Sequence, residues 1–114
     1  MILESILIGA AIIAGGSLLA VFWNDIVSWL KRAISKVKQV IKIGVYGTKV
    51  FIRVGSKAAI EEISRHFSKD HNNRWHETVV TREVPASKVP ADIRKRAKYG
   101  SEVDITRELE LQLK

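Results

Sequence analysis

Any chemistry in this chain must come from a short list of side chains. Three histidines, His66, His71 and His76, stand five residues apart. On a hairpin centred near His71 they would approach one another across strands, and imidazoles gathered in that way bind divalent metals. The spacing argues against a metal site. Five residues put strand neighbours on opposite faces and helix neighbours about 140° apart, and neither matches the i, i+4 pair of a zinc helix. Glu61, Glu62, Glu77 and Glu83 are candidate acids or bases, yet no spacing fixes two of them as a pair. Gly44, Gly47 and Gly55 form no GxGxxG array and precede no Lys-Ser, and the chain contains neither a nucleophile elbow nor a Ser-His-Asp order. It has no cysteine, which removes thiolate metal sites, thiol nucleophiles and disulfides. The expectation is a non-enzymatic protein with no metal and no cofactor.

The elements that carry these residues are read from charge and hydropathy. The 114 residues hold 19 Lys or Arg against 12 Asp or Glu, a net charge of +7, with 46% hydrophobic residues. That composition excludes a disordered polycation. The basic excess is local. Residues 1–25 contain only Glu4 and Asp25, whereas residues 26–58 contain Lys31, Arg32, Lys36, Lys38, Lys42, Lys49, Arg53 and Lys57 and no acid. The remainder is nearly balanced.

From Ser5 to Trp23 no residue is charged, and as a helix this stretch would extend about 28 Å, close to a hydrocarbon thickness of about 30 Å. It lacks a basic start and a small-residue cleavage site, so it reads as a retained transmembrane anchor over 1–25. Ala10, Ala11, Ala14, Gly15, Gly16 and Ala20 recur at four-residue spacing, which suits helix–helix packing and a homo-oligomer. Cations directly after the span predict an inner or plasma membrane location with the N-terminus outside and the C-terminus in the cytoplasm.

Asn24 and Asp25 can cap a second helix over 26–43, whose Ile26, Trp29, Leu30, Ala33, Ile34, Val37, Val40 and Ile41 share an arc of about 140°. Two environments suit that stripe. In one, the helix lies on an anionic leaflet, with Trp23 and Trp29 at headgroup level and Lys31, Arg32, Lys36, Lys38 and Lys42 toward phosphates. In the other, the stripe packs on the protein's own sheet. Nucleic acid is the less favoured partner, because a basic face beside a bilayer already has its counter-ion.

Residues 44–114 read as a small cytosolic α+β domain with an antiparallel hairpin sheet and one or two short helices. Thr48 to Val54 alternates as a strand. Asp70-His71-Asn72-Asn73 is a turn between a strand from about Glu61 and another from Trp75 to Val84, with a helix over 57–67 as the competing reading. Trp75 is expected in the core. Ser87-Lys88-Val89-Pro90 begins a short helix, with Pro90 suited to its first position and Gly100 past its end, and its Arg94, Lys95, Arg96 and Lys98 form a possible anion contact. The odd parity of Val103, Ile105, Leu109, Leu111 and Leu113 favours an edge strand over a helix starting near Thr106. Together these features point to a single-pass, membrane-anchored, oligomeric binding or regulatory module that meets a cytosolic protein or small ligand. The alternative is a holin-like or pore-forming effector controlled by its C-terminal domain.

Overall fold

The computed structural model describes residues 18–55, 59–97 and 100–113, with residues 112 and 113 described by their backbone alone. A long helix α1 (Leu18–Ile41) leads into three ten-residue strands, β1 (Val45–Val54), β2 (Ile60–Lys69) and β3 (Trp75–Val84). A 3-10 turn (Ala86–Lys88), helix α2 (Ala91–Arg96), a two-residue strand β4 (Val103–Asp104) and helix α3 (Thr106–Leu113) complete the order. The sheet is antiparallel throughout, in the order β3-β2-β1-β4. This is the small α+β domain expected from the sequence. The Asp70–Arg74 turn joins β2 and β3, with Asn73 at φ 61 and the Asp70 carboxylate accepting from the Asn72 and Arg74 amides, so the 57–67 helix is excluded.

Helix α1 packs on one face of the sheet. Most of the apolar stripe predicted for 26–43 is buried there: Ile26, Trp29, Leu30, Ala33, Ile34 and Val37 join Val50, Ile52, Ile60, Ile105 and Leu109 in the core, while Val40 near the helix end is exposed. Burying such side chains removes apolar surface from water at about 25 cal/mol per Å², which is why the stripe seats on protein. The helix also starts earlier than its expected cap. Asn24 and Asp25 lie inside it, and Ala20, Phe22 and Trp23 upstream of them are buried.

This corrects the membrane reading. Among the described residues no helix is long and apolar enough to cross a membrane, and Leu18–Trp23 of the proposed anchor belong to α1, with Ala20, Phe22 and Trp23 packed into the domain and Leu18, Leu19 and Val21 exposed. The inner or plasma membrane placement and its N-out, C-in topology, both inferred from that span, fall with it. Ala10, Ala11, Ala14, Gly15 and Gly16 lie outside the described residues, while Ala20 faces the core.

At the C-terminus, strand pairing ends after Val103 and Asp104, and a helix takes over at Thr106. The parity that suggested a strand also sets Ile105 and Leu109 one helical turn apart, and both are fully buried. The Asp104 carboxylate accepts from the Thr106 amide, and Thr106 Oγ1 accepts from the Val50 amide at 2.9 Å, hooking α3 onto β1.

Candidate functional site

The two faces of the sheet differ because side chains alternate along a strand. Ile60, Glu62, Ser64, His66 and Ser68 on β2 point under α1, and all are buried. Four of the five are polar, so the interface between sheet and helix carries a polar stripe along its length. His66 sits between two hydroxyls, with Nδ1 2.9 Å from Thr48 Oγ1 and Nε2 2.8 Å from Ser64 Oγ. Ser64 Oγ donates to the Val80 carbonyl at 3.3 Å, so Nε2–H donates to Ser64 and Nδ1 accepts from Thr48. Burial holds this imidazole neutral and lowers its pKa to about 4. The site is sealed, and no substrate reaches it.

At the other end of the stripe, Arg82 on β3 crosses to α1. Its Nε donates to Glu62 Oε1 and its Nη2 to Asp25 Oδ2, both at 2.5 Å, and its guanidinium lies 4.6 Å from the Trp29 ring centre. Burial raises the Glu62 pKa, with Arg82 opposing the rise. A cleft of about 440 Å³ opens beside this hub, between Leu18, Phe22, Val84 and Lys88. The Arg82 donors aimed at carboxylates are already engaged, and the hub acts as a clamp between helix and hairpin. The sequence contained a signal for it: once residues 70 and 74 close the turn, Glu62 and Arg82 fall opposite one another.

Other carboxylates on and beside the sheet are paired too, although Glu83 on β3 has no ion pair among the described residues. Glu61 meets Arg53, Glu77 and Glu102 meet Arg65, and Asp70 meets Arg74 and His76. His76 Nε2 lies 2.8 Å from Asp70 Oδ2, and this hydrogen bond is the main reason the Asp70 pKa drops to about 2. The three histidines do not converge. His66 is buried, His71 and His76 are exposed, and among the described residues no three metal-ligating side chains gather. Trp75, expected in the core, is 58% exposed on the bare face, edge-on to Tyr46 with ring centres 5.5 Å apart. A bulge between Val45 and Gly47 re-aims Tyr46 toward it.

The outer face of α1 is different. Lys31, Arg32, Lys36, Lys38 and Lys42 are all exposed, and among the described residues no carboxylate pairs with Arg32, Lys36, Lys38 or Lys42. Lys31, Arg32, Ser35, Lys36 and Gln39 line a shallow hollow of about 520 Å³. At about 100° per residue, Lys31 and Lys38 form one row and Arg32 and Lys36 another, about 130° away, with Ser28, Ser35 and Gln39 between, while Lys42 lies just past the end of α1 with φ 59. The two tryptophans assigned to a headgroup layer are absent from this surface: Trp23 is 1% and Trp29 7% exposed. On α2, Arg94 and Lys95 are exposed, Arg96 pairs with Glu108, and Lys98 lies outside the described residues.

Comparison with protein-family models, with curated proteins and with solved structures finds no match.

Proposed function

We propose that this chain is a non-catalytic binding module whose α1 outer face seats against the phosphate backbone of duplex nucleic acid. The observation that carries the reading is the pair of cation rows flanking a polar ridge, with no carboxylate partner for Arg32, Lys36, Lys38 or Lys42 among the described residues. A groove presents phosphates as two walls on either side of an inserted helix, and a ridge of small polar side chains between two basic rows fits that shape. The sequence argument against nucleic acid was the neighbouring bilayer, and that argument falls with the span. The apolar stripe that would have entered a leaflet is occupied by the sheet.

The test is fluorescence anisotropy of the full chain on a short labelled duplex over a salt series. About four phosphate contacts predict a log–log salt slope of about −3 to −4, and Lys36→Gln should reduce that slope by about 1. Absence of duplex binding at low salt overturns the proposal. So does binding to anionic phospholipid vesicles in preference to the duplex.

A further inference from the structure

The two edges of the sheet are finished in different ways. On one side β4 is two residues long and is followed at once by α3. On the other, β3 offers ten residues whose outer backbone groups pair with no strand among the described residues. Proteins usually blunt such an edge with proline, a bulge or an outward lysine. Here Trp75–Val84 contains no Pro, Gly or Lys, and it runs beside β2 in unbroken register from Ile60↔Val84 to Lys69↔Trp75. A long straight edge is a template for another strand.

We infer that β3 pairs antiparallel with β3 of a second copy, centred on Val79. The occupant follows from the register. A two-fold axis normal to the sheet pairs only residues of the same parity, because odd residues of β3 share the bare face and even residues the face under α1. Centring on Val80 sets Glu77 against Glu83, and centring on Thr78 sets Arg74 against Arg82. Like charges directly opposite one another destabilise a pair. Centring on Glu77 opposes that carboxylate with its own copy, and centring on Thr81 shortens the overlap to 78–84. Centring on Val79 engages 75–83. It sets Trp75 across from Glu83, Glu77 across from the Thr81 hydroxyl, Thr78 across from Val80 and Val79 across from itself. His76 then falls across from Arg82, and each already has its own partners, Asp70 for His76 and Glu62 and Asp25 for Arg82. Val79 is 47% exposed in the single chain, and the pairing covers it. The product is an eight-stranded sheet with both copies of α1 on the same side.

Sedimentation equilibrium of the full chain tests this inference. The wild type should show twice the 12.8 kDa chain mass at micromolar concentration. Val79→Lys and Val79→Glu should each weaken association at least about tenfold, since each variant opposes a charge with its own copy on the two-fold axis. Unchanged far-ultraviolet circular dichroism of the two variants would show that the fold is intact. Mixing Val79→Lys with Val79→Glu should restore the dimer, because opposite charges then meet. A monomeric wild type, a dimer that survives either substitution, or a mixture that stays monomeric overturns the inference.

Discussion

On and around β2 and β3 most charged side chains meet an opposite charge, and on the outer face of α1 Arg32, Lys36 and Lys38 meet none among the described residues. Arg82 spans Glu62 and Asp25, Arg65 spans Glu77 and Glu102, and Arg53 holds Glu61. Arg32, Lys36, Lys38 and Lys42 have no such partner among the described residues, although Asp25 on the same helix is drawn down to Arg82. The difference teaches what each set of charges is for. Ion pairs such as Arg82 with Glu62 and Asp25 tie the sheet to the helix, whereas Arg32, Lys36 and Lys38 make no ion pair with a described carboxylate.

Breaking the buried clamp should have the largest effect. Arg82→Ala leaves Glu62, 1% exposed, without its counter-charge, and removing one partner of a buried pair costs about 3–5 kcal/mol. Urea denaturation at pH 8 should show a loss in that range. The loss should shrink as the pH falls, because burial already raises the Glu62 pKa, and protonation removes the unpaired charge.

The uncharged part of the same stripe predicts a pH dependence. His66 has a folded-state pKa of about 4 against an ordinary 6.5, so the unfolded chain takes up its proton first. Stability is therefore complete above about pH 6.5 and falls as the pH drops toward 4, by at most about 3 kcal/mol. Glu62, with its pKa raised, acts in the opposite sense. His66→Gln isolates the histidine: urea midpoints between pH 7 and 4.5 should lose most of their slope in this variant. An unchanged slope would place the proton uptake elsewhere.

Exposed pairs on the bare face of the sheet should matter less. Arg65 donates to Glu102 at 2.6 Å, approaches Glu77 at 3.3 Å and covers the Phe51 ring, yet water and salt reach all of these groups. Arg65→Ala should lower stability by about 1 kcal/mol or less, and by less still in 1 M salt.

Much of this arrangement was legible in the chain, and the misreadings share a cause. The hairpin was readable because Asp70 to Arg74 encodes its own turn and Val79 and Val80 resist helix. The amphipathic period of 26–43 was readable as well, and burial on the sheet was one of its two stated destinations. What one-dimensional pattern does not contain is the far side of an apolar surface. Trp23 and Phe22 satisfy a length criterion for lipid as well as they satisfy a core, and only the presence of Ile52, Ile60 and Ile105 beneath α1 decides between them. Trp75 was misplaced for the converse reason: a tryptophan at a strand start is usually covered, but here the face it occupies has no covering element among the described residues. Ile105 and Leu109 fit two periods at once, and the Thr106 hydroxyl on the Val50 amide selected the helix. Glu62 and Arg82 were visible separately, but not as a pair until the register set them opposite one another.

The smallest expected effect separates the two sets of charges most sharply. Arg32 and Lys36 stand four apart on one row of α1, and like charges at that spacing cost an isolated helix roughly 0.2–0.5 kcal/mol. Lys36→Gln removes one such repulsion and leaves the buried contacts in place, because Lys36 is exposed at the edge of the stripe that meets the sheet. Its urea midpoint should rise by a few tenths of a kcal/mol at low ionic strength, and the gain should fade in 1 M salt as screening removes the repulsion from the wild type too. The same substitution should flatten the salt dependence of duplex binding. A residue that weakens the fold slightly while strengthening contact with a polyanion is placed for that contact. Loss of stability in Lys36→Gln would instead assign this cation to the fold, on the same footing as Arg65.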